Sequence, residues 1–265
     1  MRIIVCIKQV PDTNEVKINK ETGTLIRDGV PSIINPDDMN ALEEALKIKD
    51  KTGAEVIVVS MGPPQAASAV KEAIAMGADK GYLVSDRAFG GSDTWATATI
   101  ISAAIDKIGG YDIVFCGRQA IDGDTAQVGP EIAEFLNISQ ITYAKELEIF
   151  EDSVRVTRYT EFGDITYNSK FPVLITAIKE LNSPRYPEIK RIYEAYNPDN
   201  NVVNIITLKD LDMIDTTQIG LKGSPTNVYK SFVPVKEKRY EMIEGNNEKE
   251  QALNLYSKLR EIKLV

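Results

Sequence analysis

Residues 117–130 read GRQAIDGDTAQVGP and concentrate groups suited to holding an anion. Gly117 and Gly123 permit backbone angles or close approach that a Cβ forbids. Arg118 brings a fixed positive charge, and Thr125 and Gln127 add side-chain donors. The segment then runs into a helix-like stretch at 131–136, whose first N–H groups are unpaired and partially positive. That helix-end contribution is only about 0.3–1 kcal/mol at an exposed site, so Arg118 and the backbone donors must supply most of the anion affinity. The segment is not a P-loop: the GK[ST] ending is missing, and no GxGxxG fingerprint occurs elsewhere. An ordinary glycine-containing connection with helix caps has the same residues, so this segment alone leaves both readings open.

What is missing narrows the chemistry further. The chain has no histidine, which excludes Ser-His-Asp and Cys-His catalysis, a histidine proton shuttle and histidine-ligated metal within this polypeptide. Cys6 and Cys116 close or nearly close apolar runs, and their separation gives neither a metal-ligand spacing nor a CxxC pair. Both read as small buried core residues. No catalytic side chain and no metal site are expected, so any chemistry belongs to a bound cofactor.

Net charge is −8 with a pI near 4.9, which sets a nucleic-acid partner against overall repulsion. The longest apolar stretches, such as 55–61 and 171–178, fall far short of the ~18 residues that span a bilayer. At the N-terminus the run 3–7 is broken by Lys8, too early for a signal-peptide core. No membrane insertion and a cytoplasmic location are the expectation.

The elements that must position the segment alternate. Runs 2–7 (RIIVCI), 54–59 (AEVIVV), 80–84 (KGYLV) and 111–115 (YDIVF) are almost continuously apolar, as strands buried on both faces of a parallel sheet are. Between them, 38–51, 65–76 and 92–108 have helical period. Asp37 or Asp38, then Ser92 or Asp93, are the expected N-caps, and Gly53, Gly77 and Gly109 the stops. This β-α-β-α order predicts a doubly wound, mostly parallel, Rossmann-like α/β sheet of the adenine-nucleotide-binding type. Ligands of such sheets sit outside the carboxyl ends of the strands. Residues 117–130 fall there, with Lys8, the NPDD turn at 35–38 and the SMGP turn at 60–63 on the same rim.

From residue 141 the pattern changes to an antiparallel meander, 141–150, 154–159 and 165–168, followed by the buried run 172–178. Residues 220–240 lack a sustained period and read as an extended arm. Residues 246–263 form an amphipathic helix whose stripe of Ala252, Leu253, Leu255, Tyr256, Leu259 and Ile262 must pack on a partner chain or fold back on its own core. A nucleotide-binding domain over 1–220 and a partner-packing C-terminal arm and helix over 221–265 are expected.

The runs IIVCIKQVPD, INPDDMNALEEAL, VVSMGP, AMGADKGYLV, GRQAIDGDTAQVG, VTRYTEFGDITYNSKFPVLIT and LNSPRYPEIKRI resemble, in order and spacing, the β subunit of electron-transfer flavoproteins. The resemblance covers nearly the whole chain. It implies a heterodimer with an α subunit that carries one FAD and exchanges electrons with a flavin dehydrogenase, of acyl-CoA or 2-hydroxy acid type. In ordinary members the β subunit holds AMP in the crevice, whereas in the electron-bifurcating branch a second FAD lies there. GDTAQVGP and the GLKGSPT segment at 220–226 look like that branch, since ordinary members carry a more acidic loop ending in NQTGQ. The resemblance then implies NADH as electron donor and ferredoxin or flavodoxin as one acceptor, the second electron passing through the α-subunit FAD.

Carried over by position, nucleotide contacts fall on Cys6, Asn35, Asp38 and Met61. They continue through Gly117, Arg118, Gln119, Ala120, Asp122, Gly123, Asp124, Thr125, Ala126, Gln127, Val128, Gly129 and Ile132. Pro184, Arg185, Tyr186, Pro187, Glu188 and Ile189 match the loop by which the family meets its dehydrogenase, with Ile189 as the apolar anchor. A plain helix-start turn accounts for the same loop residues without the resemblance. Arg158 and Glu161 lie in the family signature, and a role at the subunit interface alone accounts for them. Two further readings stand beside the bifurcating one. The first is an electron carrier with structural AMP, and the second a stand-alone α/β enzyme, which the missing phosphate loop and missing histidine oppose.

Overall fold

Along the first strand, Ile3, Val5 and Ile7 project to one face and Ile4 and Cys6 to the other, and all five are buried. A strand buried on both sides needs helices on both sides, and the computed structural model supplies them. It describes residues 1–12, 17–18, 25–26, 31–212, 214–229 and 240–265.

A nine-stranded sheet is formed by β1 (Arg2–Ile7), β2 (Glu55–Met61), β3 (Lys80–Val84), β4 (Ile113–Gly117), β5 (Ser139–Ile149), β6 (Ser153–Arg158), β7 (Ile165–Lys170), β8 (Val173–Ala177) and β9 (Val203–Ile206). Their order across the sheet is β7-β6-β5-β8-β4-β1-β2-β3-β9. Every pair from β5 to β9 is parallel, and β6 alone runs against its neighbours. The mostly parallel, doubly wound α/β fold expected from the sequence is therefore present, and the meander extends the same sheet.

The helices are α1 (Pro36–Thr52), α2 (Ala67–Met76), α3 (Thr94–Ile108), α4 (Val128–Phe135), α5 (Ile189–Tyr196) and α6 (Glu248–Glu261). Helices α1 and α2 cover the face of Ile3, Val5 and Ile7, while α3 and α4 cover the face of Ile4 and Cys6. Helix α5 packs on α2. Gly53 ends α1 in the left-handed conformation at φ 72°, and Asp93 caps α3 by accepting the Ala96 N–H at 3.0 Å.

Several local expectations are corrected. Helix α1 begins two residues early: Asn35 is its N-cap, and neither Asp37 nor Asp38 plays that part. Pro36 at the first turn fits, because it has no N–H to leave unpaired. Helix α4 starts at Val128 rather than 131, so part of the supposed loop is helix. The arm at 220–240 opens with a helical turn, Gly220–Gly223, and its residues 230–239 lie outside those described. Strand β9 and a ribbon pairing Gln9–Pro11 with Ser32–Ile34 were not expected. Two compact units result, Met1–Tyr229 and Lys230–Val265. In the second, no residue of α6 is buried, and Leu253, Leu255 and Tyr256 are each roughly half exposed.

Candidate nucleotide-binding site

The chain leaves β1 toward β2 on one side and later returns to place β4 on the other. The connections from the carboxyl ends of β1 and β4 therefore diverge, and the gap between them is where open parallel sheets take their ligands.

Asp38, on the first turn of α1, bridges that gap. Its Oδ2 accepts the Lys8 N–H at 2.8 Å just past β1, and its Oδ1 accepts the Gly117 N–H at 3.0 Å at the end of β4. Burial pushes the Asp38 carboxyl up to about 7, against the opposing effect of those two donors and of Asn35. Gly117 has no room for a side chain: a Cβ there would stand 2.7 Å from the Asp38 backbone nitrogen and would overlap the carboxylate. Fully buried Asn35 shapes the next turn. Its Nδ2 donates to the Gln119 carbonyl at 2.8 Å, and its Oδ1 accepts the Ile121 N–H at 3.0 Å.

Beyond this frame the loop is built to present donors. Lys8 Nζ holds Asp122 at 2.6 Å, the Ala120 carbonyl accepts the N–H groups of Gly123 and Asp124, and the Gln119 side chain donates to Asp124. The special backbone angles fall on Asp124 and Ala126, both at φ 54°, and not on Gly123, whose Cβ would meet open space. Ala126 is followed by Gln127 at φ −103°, ψ −35°. Alternation of left- and right-handed residues turns successive N–H groups to one side and makes an anion-binding concavity. Among the described residues no acceptor faces the N–H groups of residues 125–129. The first turn of α4 adds its dipole. Gly129 lets that turn sit against the sheet, since a Cβ would come 2.8 Å from Thr176 Cγ2, and fully buried Ile132 anchors it.

Arg118 is the positive side chain of the crevice. Its N–H donates to the Ala177 carbonyl at 2.8 Å, and its guanidinium lies 5.9 Å from the Tyr143 ring centre. Its Nε is 3.3 Å from Asp37 Oδ2, a distance without hydrogen-bond alignment, so both atoms are buried with no hydrogen-bond partner. Burial raises the Asp37 carboxyl, with Arg118 pulling the other way. Buried polar atoms without partners mark an incomplete site, and Ser60 Oγ and Glu131 Oε2 on the same rim are further cases. Burial raises the Glu131 carboxyl against a bond from Thr94 Oγ1 at 3.1 Å. Met61, Cys6, Cys116, Val128 and Ile132 share one apolar cluster below.

The sequence-derived nucleotide residues thus lie at the carboxyl ends of β1, β2 and β4 and along the starts of α1 and α4. Three neighbours of the site are not among the nucleotide contacts expected from the sequence: Thr94, which reaches Gln127 and Glu131, Asp93, and the 220–226 segment. Thr226 donates N–H and Oγ1 to Asp93 at 2.8 and 2.7 Å, and the Gly220 N–H donates to Ser92 at 3.0 Å. These contacts join residues about 130 positions apart and place GLKGSPT beside the start of α3.

The loop at 184–189 lies elsewhere on α1. Arg185 grips buried Glu43 with Nε and Nη2 at 2.8 and 3.1 Å and Asp50 at 2.8 Å. Asn40 and Asn182 exchange side-chain bonds to each other's carbonyls. Pro184 and Pro187 line hollows beside it, and the Glu188 N–H donates to the Ala75 carbonyl at 3.2 Å. Tyr186 and Ile189 are 93% and 87% exposed. Arg158 lies near Tyr143 with its Nε buried and unpaired, whereas Glu161 is exposed.

Among the described residues no helix is long and apolar enough to cross a membrane. The model of the electron transfer flavoprotein domain matches residues 22–203. Over 98% of both chains, this chain is 58% identical to the electron transfer flavoprotein subunit beta of Thermoanaerobacterium thermosaccharolyticum. At the same coverage it is 51% identical to subunit CarD of the caffeyl-CoA reductase-Etf complex of Acetobacterium woodii. It is also 51% identical, again over 98% of both chains, to the acryloyl-CoA reductase electron transfer subunit gamma of Anaerotignum propionicum. With the mostly parallel sheet and the crevice at its switch point, these matches establish that the chain belongs to the electron transfer flavoprotein family, among its β subunits.

Proposed function

We propose that this chain is the β subunit of a cytoplasmic α/β heterodimer and binds FAD in the crevice between β1 and β4. In that complex NADH delivers electrons, one going to ferredoxin or flavodoxin and the other through the α-subunit FAD to an acyl-CoA or 2-hydroxy acid dehydrogenase. The observation that carries this reading is the 117–129 loop, whose Arg118 Nε has no hydrogen-bond partner and whose N–H groups at 125–129, leading into α4, are free. That donor set fits a pyrophosphate. Two relatives named for work with acryloyl-CoA and caffeyl-CoA reductases favour the acyl-CoA type of partner.

When bound, the flavin supplies hydride acceptance and single-electron transfer. The chain's own residues bind and orient. Asp38 and Asn35 fix the strand ends and the loop, Arg118 and the N–H groups of residues 125–129 hold phosphate oxygens, and Met61, Cys6 and Ile132 form the apolar floor. The exposed loop 184–189 meets the dehydrogenase through Ile189. The C-terminal segment 221–265 packs on the α subunit, which covers the apolar side of α6.

The second reading places structural AMP in the same crevice, because the phosphate cradle alone serves either nucleotide. Anaerobic titration of the α/β complex with NADH separates them. The bifurcating reading expects full bleaching of the flavin absorbance, and a complex whose flavin ignores NADH refutes it.

A further inference from the structure

We propose that Cys6 and Cys116 are a redox-modifiable pair: a two-electron oxidant joins them in an intramolecular disulfide that draws the ends of β1 and β4 together and empties the crevice above.

The pairing comes from register. Strands β1 and β4 match Ile3 with Ile113, Ile4 with Val114 and Val5 with Phe115, so one further step sets Cys6 beside Cys116. Both side chains enter the same apolar cluster under α3 and α4, and both thiols are free and buried. Adjacent parallel strands run about 4.7–4.9 Å apart, inside the Cα separations of about 4.4–6.8 Å that disulfides bridge. The neighbouring Cys6 thiol, together with burial, pushes the Cys116 thiol up. Neither cysteine has a part in holding phosphate, and an aliphatic residue would fill the cluster as well.

The consequence comes from what lies above. A disulfide draws its two Cβ atoms to about 3.5–4.5 Å, closer than side-by-side strands hold them. Closing the bond therefore pulls Cys116 toward β1 and moves Gly117, which the Asp38 carboxylate and backbone leave no slack. The Lys8 N–H, two residues past Cys6, is tied to the same carboxylate. The first turn of α4 rests against Cys116, since a Cβ on Gly129 would lie 3.5 Å from Cys116 Cβ.

Attack on an oxidant begins from the thiolate, and burial and the thiol neighbour both disfavour that form at Cys116. Reaction is thus slow until the 117–129 loop lifts, a motion that a bound nucleotide resists. The balance is simple: two S–H bonds are lost, one S–S bond forms, and two electrons and two protons convert one peroxide to two waters. The link to nucleotide rests on the function proposed above; the pairing of the thiols does not.

The test treats the α/β complex, with its resident nucleotide and after stripping, with hydrogen peroxide, then alkylates, digests with trypsin and reads masses. The expected product joins IIVCIK to IGGYDIVFCGR, lighter than the sum by two hydrogens, and forms faster in the stripped complex. Wild type should lose nucleotide as it accumulates, whereas Cys116→Ala should keep its nucleotide at the same dose. Failure of the stripped complex to give this product, under conditions where the urea-unfolded chain does, overturns the pairing. Cross-linking with nucleotide content unchanged overturns the coupling alone. Cross-linking in a complex that never held nucleotide in this subunit points instead to failure of the proposed function.

Discussion

Asp38 and Gly117 are fitted to each other: the carboxylate accepts the glycine N–H at 3.0 Å, and the same approach leaves no space for a Cβ on residue 117. A side chain there must push α1 away from β4, in a region where both are buried. Gly117→Ala is expected to destabilise the fold by about 1–3 kcal/mol or more, as overpacking does. It should also empty the crevice. Urea unfolding and nucleotide content of the purified complex check both.

The Asp38 carboxyl gives an unusual pH dependence. Its value rises from the ordinary 3.8 to about 7 on folding, so between those values the native chain holds a proton that the unfolded chain has lost. Its contribution to stability is therefore greatest at low pH and falls as pH rises through that window, by at most about 1.4 kcal/mol per pH unit, and is level above it. In Asp38→Asn this component should vanish, which urea titrations from pH 4 to 8 would reveal as a shallower fall than in wild type. Identical slopes would contradict it.

Removing the carboxylate altogether is a separate matter. Asp38→Ala leaves the Lys8 and Gly117 N–H groups without an acceptor, and each buried orphan costs about 1–3 kcal/mol. A clear drop in thermal midpoint is expected.

Arg118 separates binding from folding. Its partly exposed pair with Asp37 is worth ~1 kcal/mol or less to the fold, whereas a charge-assisted bond to phosphate is worth about 1.5–3 kcal/mol. Arg118→Met should keep the unfolding midpoint near that of wild type and weaken nucleotide binding by about 10- to 100-fold. Calorimetry on the stripped complex measures this.

Two substitutions distinguish support from contact at the partner loop. Arg185→Ala strips buried Glu43 of its bidentate partner and should cost about 3 kcal/mol, a loss characteristic of breaking one side of a buried pair. Ile189→Ala, at an exposed position, should leave stability unchanged and slow electron exchange with the dehydrogenase. Equal exchange rates for Ile189→Ala and wild type would remove the loop from partner recognition.

The sheet was legible because its strands are buried on both faces: continuous runs such as RIIVCI and YDIVF admit few other placements. The crevice followed from element order, since the switch point depends on which strand comes next and not on side-chain detail. Roles inside it were less legible. Asp37 and Asp38 look like caps, yet Asp38 bonds to two strand ends because the Asn35-Pro36 turn has already started the helix. Gly123 looked like the permissive residue, but the loop places its positive φ angles on Asp124 and Ala126. Strand β9 leaves little trace in the sequence, because four residues at a sheet edge, with Ile205 half exposed, carry little pattern. The tie of Thr226 to Asp93 is a long-range contact with no local signature.

The most direct test of the central claim is the flavin and adenine nucleotide content of the α/β complex, released by denaturation and separated by chromatography. Flavin binding in this subunit predicts two FAD and no AMP per heterodimer, with one FAD lost in Gly117→Ala. One FAD with one AMP, in a complex purified under FAD so that no flavin is washed out, would contradict it.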